Sequence, residues 1–378
     1  MEELTTRTLP AGDLTPARVY AALRAKAPQR TSYLIEASAP DESGERRSVI
    51  GFLVKSEAAY GAGADGLREI AGTAVKLAAK AARADLPAAG PEDVVALLTG
   101  DVVLPALGVA PRPELPFAGR ELGDASAVVF DHVAGTITIA SMNANTVERI
   151  ARVIADAPSL AELPTSSGAR AEHVTEHPIE PEFTKQLRKA ERKIEAGKLQ
   201  RLAIGRTFVA PTRGADMFEV YRALKVAAPM RFHFFVELPA TPMFGAFAVA
   251  AAGDASLRIA AQAGEDAIVN ELLAFLSPEV RCGAPVKEAL AAWRDVTTFP
   301  FGMLGSAVVR ARSGGHVEAI RADAAISLDN GQMETLGVAD VIVGRDPAEH
   351  SEAAAKNAAA ALAAIRHVHD AMAARESN

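Results

Sequence analysis

The sequence predicts an α+β fold in which strands and helices follow one another irregularly. Of the 378 residues, 49% are hydrophobic and 23% are charged, as in a globular protein with an extensive core. Apolar residues recur with helical spacing in some segments and form short β-branched or aromatic runs in others. These segments lack the regular strand–helix–strand order of a parallel sheet, so an α+β architecture is favoured.

The first half opens with a helix and a hairpin. A threonine cap and a first-turn proline predict a helix over residues 15–26. Two β-type runs, 32–36 and 48–53, flank the polar turn 41–44 and predict a β-hairpin. The pattern then predicts helices over 58–86, 92–98 and 145–155, strands over 127–130 and 136–139, and an extended proline-rich connection over 102–119.

A loop rich in Pro, Ser and Glu over residues 158–181 is the candidate boundary within the chain. It divides the sequence into an N-terminal part, 1–165, and a C-terminal part, 180–378. A single composite domain is the alternative, because one large core could include both parts.

The second half begins with Phe183, Leu187 and Ile194 at helical spacing, and this helix is expected to end at Gly197. A strand over 202–208 follows. The later pattern predicts helices over 217–226, 265–276, 286–293 and 347–374, and strands over 232–236, 244–251, 306–310, 317–326 and 338–343.

Composition narrows the function classes. The net charge is −7, and the basic residues do not cluster with aromatic ones, so we do not expect nucleic-acid binding. Cys282 is the single cysteine, which favours a reducing compartment. No export signal is visible, and the longest apolar stretch is about ten residues, whereas a membrane helix needs about 20. The expectation is a cytoplasmic protein without a membrane segment.

The most organised polar cluster lies in the first turns of the last predicted helix. Glu349, Glu352 and Lys356 recur at i, i+3 and i+7 on one helix face. Two carboxylates one turn apart can bind a hard cation such as Mg²⁺, with the lysine near an anionic ligand. The alternative is a solvated helix start, since acids suit the first turn and Glu352 with Lys356 is an ordinary ion pair. The isolated histidines and Cys282 are interpreted as packing or surface residues.

Segments that follow one another over most of the chain carry a family resemblance. They are "LTPARVYAAL", "SYLIEAS", "ERRSVIGF", "AERKIEAGKLQRLAIGRTF", "VYRALKVAAPMRFHFF", "CGAPVKEAL" and "VIVGRDPAEHSEAAAKNAAAAL". Through these segments the chain resembles component I of anthranilate synthase and its relatives in the chorismate-binding family. The resemblance implies a compact two-layer core of facing antiparallel sheets with outer helices.

The resemblance also implies site residues. Glu349 and Glu352 match the family's metal-binding helix, and Lys356 matches its carboxylate-binding lysine. Arg201 falls where the family has glutamine or a basic lysine, and because arginine stays protonated it cannot activate water. The family has an arginine that contacts the substrate. An ungapped alignment places Ala324 at its position, and a shift of three residues places Arg321 there.

At three places the sequence departs from the family's pattern in a way that affects the expected activity. Val249 occupies the position of the family's general-acid glutamate, and valine has no proton to give. The segment 259–282 is too short for the family's next metal-binding helix and histidine; only Glu265 or Glu271 could substitute. Asp340 adds a negative charge near the amides that bind the anionic substrate.

Two hypotheses follow. In the first, the chain is a diverged member that has lost Mg²⁺-dependent chorismate amination and acts as a ligand-binding, partner-binding or repurposed protein, a pseudoenzyme. In the second, it is an active chorismate-utilising enzyme of aromatic-amine or aryl-acid biosynthesis. The second hypothesis implies chorismate as substrate and a glutamine amidotransferase subunit as the source of ammonia.

Overall fold

Two antiparallel sheets organise this computed structural model, one of eleven strands and one of six. The structure describes residues 5–27, 32–39, 44, 46–52, 56–60, 72, 75–76, 93–99, 119–123, 126–141, 143–161, 174–197, 202–241, 245–276, 306–312, 315–329, 331–341 and 346–376.

The strands of the described residues are numbered in chain order. They are β1 Thr5–Pro10, β2 Ser32–Ala37, β3 Arg47–Phe52, β4 Ser56–Tyr60, β5 Asp93–Thr99, β6 Gly119–Gly123, β7 Ser126–Asp131, β8 Thr136–Ser141, β9 Thr175–His177, β10 Leu202–Pro211, β11 Phe232–Thr241, β12 Gly245–Gly253, β13 Ala255–Ala260, β14 Ser306–Arg312, β15 His316–Arg321, β16 Ala324–Asp329 and β17 Gln332–Val341.

The α-helices of the same residues are α1 Pro16–Lys26, α2 Ala144–Ala155, α3 Glu180–Glu195, α4 Met217–Ala227, α5 Glu265–Leu276 and α6 Pro347–Glu376. Side-chain caps support several of them: Thr15 accepts from the Arg18 amide, and Asp216 accepts from the Phe218 amide. No helix among the described residues is long and apolar enough to cross a membrane.

The first sheet has the strand order β1-β8-β7-β3-β2-β11-β12-β16-β17-β10-β9, and the second has the order β13-β15-β14-β5-β6-β4. The predicted hairpin is confirmed, since β2 pairs with β3. β2 also pairs with β11, so strands from both halves of the chain share one sheet.

Each face of the first sheet has its own apolar cluster. On one face α1, α2, α4 and α6 contribute buried side chains such as Tyr20, Ile150, Tyr221 and Ile365. The other face packs against the second sheet, from which Ile320 is contributed. The α+β class with facing sheets and outer helices is therefore confirmed.

A bent two-stranded ribbon joins the two sheets. Ala252 pairs with Ala324 in the first sheet, and Ala255 pairs with Arg321 in the second, so one antiparallel register continues across the bend. A Cβ atom on Gly253 would lie 2.1 Å from the carbonyl oxygen of Arg321, so this close approach requires glycine.

Several local predictions need correction. The predicted helix 92–98 is wrong: it is the strand β5, which pairs with β14 and β6. A short apolar run fits either element, and here sheet pairing decides. The predicted helix 58–86 starts inside β4, and the single strand predicted over 317–326 is divided by the bend into β15 and β16. The predicted helix 286–293 lies outside the described residues, and so does the predicted connection 102–119 apart from Gly119, which starts β6.

Candidate functional site

The inner face of the first sheet is apolar around Val249. This side chain is fully buried on β12, and in the strand register it lies between Val236 on β11 and Ser327 on β16. Ile320 of the second sheet packs in the same cluster. The position that the resemblance gives to a general acid therefore has no exchangeable proton, in surroundings that disfavour charge.

Arg321 lies at the end of β15 and contacts helix α5. Its Nη1 donates to the carbonyl oxygen of Phe275 at 3.0 Å, and its guanidinium lies 5.3 Å from the ring centroid of the same residue. Carbonyl groups in a last helical turn lack partners within the helix, so Arg321 satisfies one of them. Ala324, the ungapped alternative, is buried on the opposite face, against the helices.

The first turns of α6 present two different faces. Glu349, Glu352 and Lys356 are all exposed, so the structure places these three candidates together on the outer side of the helix. His350 and Ser351 are buried on the inner side. His350 is completely buried, and its Nε2 lies 4.0 Å from a carboxylate oxygen of Glu191 on α3.

The Glu349 and Glu352 carboxylates fit the donor chemistry of Mg²⁺, which usually binds one or two carboxylates together with water or substrate oxygens. Among the described residues, no group of three or more His, Cys, Asp or Glu side chains lies close enough to hold a metal ion. Glu265 and Glu271, the other candidates, are exposed on α5. Magnesium binding by Glu349 and Glu352 therefore stays a prediction.

A buried arginine holds the start of α6 against the sheet. Arg206 on β10, 2% exposed, donates to Glu176 on β9 and to Glu180 at the start of α3. Ser351 on α6 donates to the other oxygen of Glu180 at 2.6 Å. The Ser351 hydroxyl and then Arg206 lower the pKa of the Glu180 carboxyl, although burial opposes the shift. This network fixes the orientation of the helix that carries Glu349.

A second polar network lies beneath α4. The buried Glu36 carboxylate accepts hydrogen bonds from the Tyr221 hydroxyl and, at 2.7 Å, from Lys225. His233, opposite Glu36 on β11, forms a hydrogen bond through Nε2 with the Ala228 carbonyl oxygen at 2.7 Å. Burial lowers the pKa of His233 and raises the pKa of Tyr221. The network therefore favours a neutral histidine beside a carboxylate paired with lysine.

The same network reaches the open end of the hairpin. The Ser48 hydroxyl accepts from the Ala37 amide at 3.1 Å and lies 2.7 Å from Nε2 of His132. Arg46 donates to the Ala37 carbonyl oxygen at 3.0 Å. Burial, followed by the charge of Arg46, lowers the pKa of His132.

The described residues among the predicted site lie on two elements, α6 and β15. Glu349, Glu352 and Lys356 share a helix face, whereas Arg321 lies on the second sheet. Arg201 lies outside the described residues. The sequence analysis missed Arg206 and Glu36, although a charged residue inside an apolar strand pattern is a signal of a buried polar pair.

Comparison with known proteins places this geometry in context. Residues 111–246 match the family described as chorismate binding enzyme. No curated protein matches the chain.

Three solved structures share the fold. Anthranilate synthase component I from Streptococcus pneumoniae has a TM-score of 0.63 at 14% identity, with 93% of this chain and 99% of that chain covered. The menaquinone-specific isochorismate synthase MenF from Escherichia coli has a TM-score of 0.58 at 11% identity, with 96% and 94% covered.

A structure described as a 2,3-dihydroxybenzoate-specific isochorismate synthase, DhbC from Bacillus anthracis, has a TM-score of 0.57 at 12% identity, with 92% and 99% covered. At such low identity these likenesses concern the fold. Residues 111–246 thus match the chorismate binding enzyme family, and the chain shares its fold with anthranilate synthase component I and the two isochorismate synthases.

Proposed function

We propose that the chain is a diverged chorismate-binding-family protein that binds a chorismate-like small molecule or a partner and has lost Mg²⁺-dependent amination. The observation that carries the proposal is Val249, which is fully buried in an apolar cluster between the sheets. Amination of chorismate expels the ring hydroxyl, which needs a proton from a nearby acid. Valine supplies none, and the apolar surroundings leave little room for water to replace it.

Two arginines and a lysine are the proposed ligand contacts. Arg201 stays protonated, so it can bind a carboxylate but cannot act as a base. Lys356 is exposed on α6 and available to an anion. Arg321 is held by the Phe275 carbonyl oxygen, and its guanidinium has further N–H groups for a ligand.

In this proposal Mg²⁺ binds together with the ligand. Glu349 and Glu352 would hold it, and the bound ion would neutralise ligand carboxylates. Binding of this kind does not require a general acid. It therefore remains compatible with the loss of amination.

The proposal also covers organisation and location. We treat 1–165 and 180–378 as two parts of one composite domain, because β2 from the first part pairs with β11 from the second. A reducing compartment, the cytoplasm, suits the single cysteine. No glutamine amidotransferase is needed if amination is lost.

The second candidate is an active chorismate-utilising enzyme in aromatic-amine or aryl-acid biosynthesis. The exposed face that joins Glu349, Glu352 and Lys356 favours it, because such a face can bind a metal ion together with an anionic substrate. This reading needs a proton donor other than residue 249, and for amination it needs a glutamine amidotransferase as partner.

Isothermal titration with chorismate, with and without Mg²⁺, followed by product analysis of the same mixture, tests the proposal. Binding without turnover is the expected result. Turnover that depends on Mg²⁺ would overturn it in favour of the second candidate. Absence of binding in both conditions would remove the small-molecule part of the proposal and leave a partner.

A further inference from the structure

A triangle of hydrogen bonds joins the first sheet, α3 and α6 at one point. Glu180 at the start of α3 accepts on both carboxylate oxygens, from Nη1 of Arg206 on Oε2 and from the Ser351 hydroxyl on Oε1. The third side lies between Nη1 of Arg206 and the Ser351 hydroxyl oxygen, which are 3.4 Å apart. Ser351 therefore connects α6 to a strand and to a second helix at once.

Arg206 is the fixed corner of this triangle. Its guanidinium lies 5.4 and 5.7 Å from the ring centroids of Phe183 and Phe208. Its Nε donates to the Pro178 carbonyl oxygen at 3.3 Å, and its Nη2 donates to Glu176. Because each of its nitrogens is bonded and two rings pack beside it, the guanidinium has few other orientations available.

Ser351 lies on the turn that carries the two candidate metal ligands. Glu349 and Glu352 flank it in sequence and are exposed, whereas His350 and Ser351 are buried. The buried pair thus determines which side of α6 the two carboxylates occupy. A rotation of α6 that moved them inward would expose His350 or break the Ser351 hydrogen bond.

The start of α6 needs such a contact because the first turn of a helix frays easily. Its first amide groups lack partners further back in the helix. Asp346 supplies partners here: its side chain accepts from the Ala348 amide at 2.8 Å, and its carbonyl oxygen accepts from the Glu349 amide at 3.0 Å. Asp346 is itself exposed, so this cap closes the turn, while Ser351 attaches the turn to the sheet.

A cation site on this turn depends on the attachment. Two carboxylates at i and i+3 can share one cation only while the turn between them stays helical. Replacing residues that hold metal ligands in place from behind typically lowers metal affinity by about 10- to 100-fold. Ser351 and Glu180 occupy such a supporting position relative to Glu349 and Glu352.

We propose that Ser351 and Glu180 are positioning residues for the cation site of Glu349 and Glu352, and that their hydrogen bond holds the outer face of α6 in its binding conformation. This assignment rests on the proposed function, since it needs a divalent cation bound on that face. It gives a role to two residues that bind neither the cation nor the ligand.

The test is a Mn²⁺ titration of the full chain, with and without chorismate, in which electron paramagnetic resonance measures free Mn²⁺. Mn²⁺ prefers the same oxygen ligands as Mg²⁺, and the signal reports binding without any turnover. Ser351→Ala and Glu180→Ala should each raise the Mn²⁺ Kd about tenfold. The double variant should raise it no further, because both changes remove one hydrogen bond. Ser351→Thr keeps the hydroxyl and should bind as the wild type does.

Two control variants separate positioning from other effects. Glu182→Ala removes an exposed carboxylate from the same end of α3, so it matches the charge change of Glu180→Ala and should leave the Kd unchanged. Ile150→Val weakens the packing of α2 in the core and should lower stability without changing the Kd. Glu349→Gln with Glu352→Gln should abolish binding, which locates the cation.

Each outcome decides the inference. An unchanged Kd in Ser351→Ala overturns it and leaves the proposed function standing, and a Ser351→Thr variant that binds as weakly as Ser351→Ala also overturns it. Mn²⁺ binding that survives the loss of Glu349 and Glu352, or a wild type that binds no Mn²⁺, overturns it too, while the chorismate titration decides the proposed function separately. If Ser351→Ala does not fold, Glu180→Ala decides, since the Glu180 side chain is half-exposed: a Kd about tenfold higher supports the inference, and an unchanged Kd overturns it.

Discussion

Gly337 on β17 lies directly against the backbone of Ala354 on α6: a Cβ atom added to Gly337 would be 2.1 Å from the Ala354 carbonyl oxygen. The helix that carries Glu349 and Glu352 therefore contacts the sheet backbone to backbone. Such an approach is available only to glycine.

Gly337→Ala should destabilise the fold, because the added methyl group meets backbone that cannot rotate away. We expect a loss of about 2–3 kcal/mol in the free energy of unfolding, measured by urea denaturation. Gln332→Ala, at an exposed position of the same strand, is the control and should change little. A variant as stable as the wild type would mean that α6 can shift away from β17.

The Arg206 network predicts an asymmetry between its partners. The Arg206 side chain is buried, whereas the side chains of Glu176 and Glu180 are 43% and 55% exposed. Replacing both glutamates by glutamine leaves a buried charge unpaired, which should cost about 3–5 kcal/mol. Arg206→Met leaves two carboxylates that water can reach and should cost less, about 1–3 kcal/mol.

Urea denaturation of both variants measures this asymmetry, with Glu182→Gln on the exposed face of α3 as the control. The reverse order of stabilities would show that packing of the arginine, rather than its charge, holds α6 in place.

The outline of the fold could be predicted from sequence because it depends on local patterns. The exact prediction of α5 over Glu265–Leu276 illustrates this. Strand pairing was harder to predict from the sequence. The run Asp93–Thr99 suits a helix as well as a strand, and only its pairing with β14, about two hundred residues away, makes it a strand.

The candidate site shows the same limit. The shared face of Glu349, Glu352 and Lys356 follows from helical spacing alone. The contact between Arg206 and Ser351 joins residues 145 apart in sequence, and no local pattern encodes it. Long-range polar pairs of this kind depend on topology.

His233 predicts a loss of stability in mild acid. Burial lowers its folded-state pKa below the ordinary value of 6.5, so below that pH the unfolded chain takes up a proton that the folded chain resists. Stability should therefore fall as pH decreases from about 7 to 5, by at most about 1.4 kcal/mol per pH unit for this group. Lys225 adds to the lowering, whereas Glu36 and Asp254 oppose it.

This effect is measured by the unfolding free energies of the wild type and His233→Gln between pH 5 and 7.5. That range extends on the order of a unit either side of an ordinary histidine pKa. The variant should show a shallower decline. His132 and His369 also have pKa values lowered by burial, so some decline should persist. An unchanged pH profile would assign the whole effect to those two residues.

Glu349→Gln with Glu352→Gln should leave the fold intact, because both side chains are exposed and such substitutions usually change stability by less than about 0.5 kcal/mol. If Mg²⁺ bridges the protein and a ligand carboxylate, the double variant should lose any Mg²⁺-dependent gain in chorismate affinity. Isothermal titration with and without Mg²⁺ measures it. Glu195→Gln, on α3, is the control.

Val249→Glu restores the acid that the family resemblance predicts, yet it should not restore chemistry. The new carboxyl group would enter a fully buried apolar cluster without a paired cation, so we expect a loss of about 4 kcal/mol or more in unfolding free energy. Val226→Glu is the matched control, because Val226 is 77% exposed and should tolerate the change. Thermal unfolding of both variants measures the difference. If Val249→Glu is as stable as the wild type, water or a ligand can reach this position, and the space between the sheets is not dry.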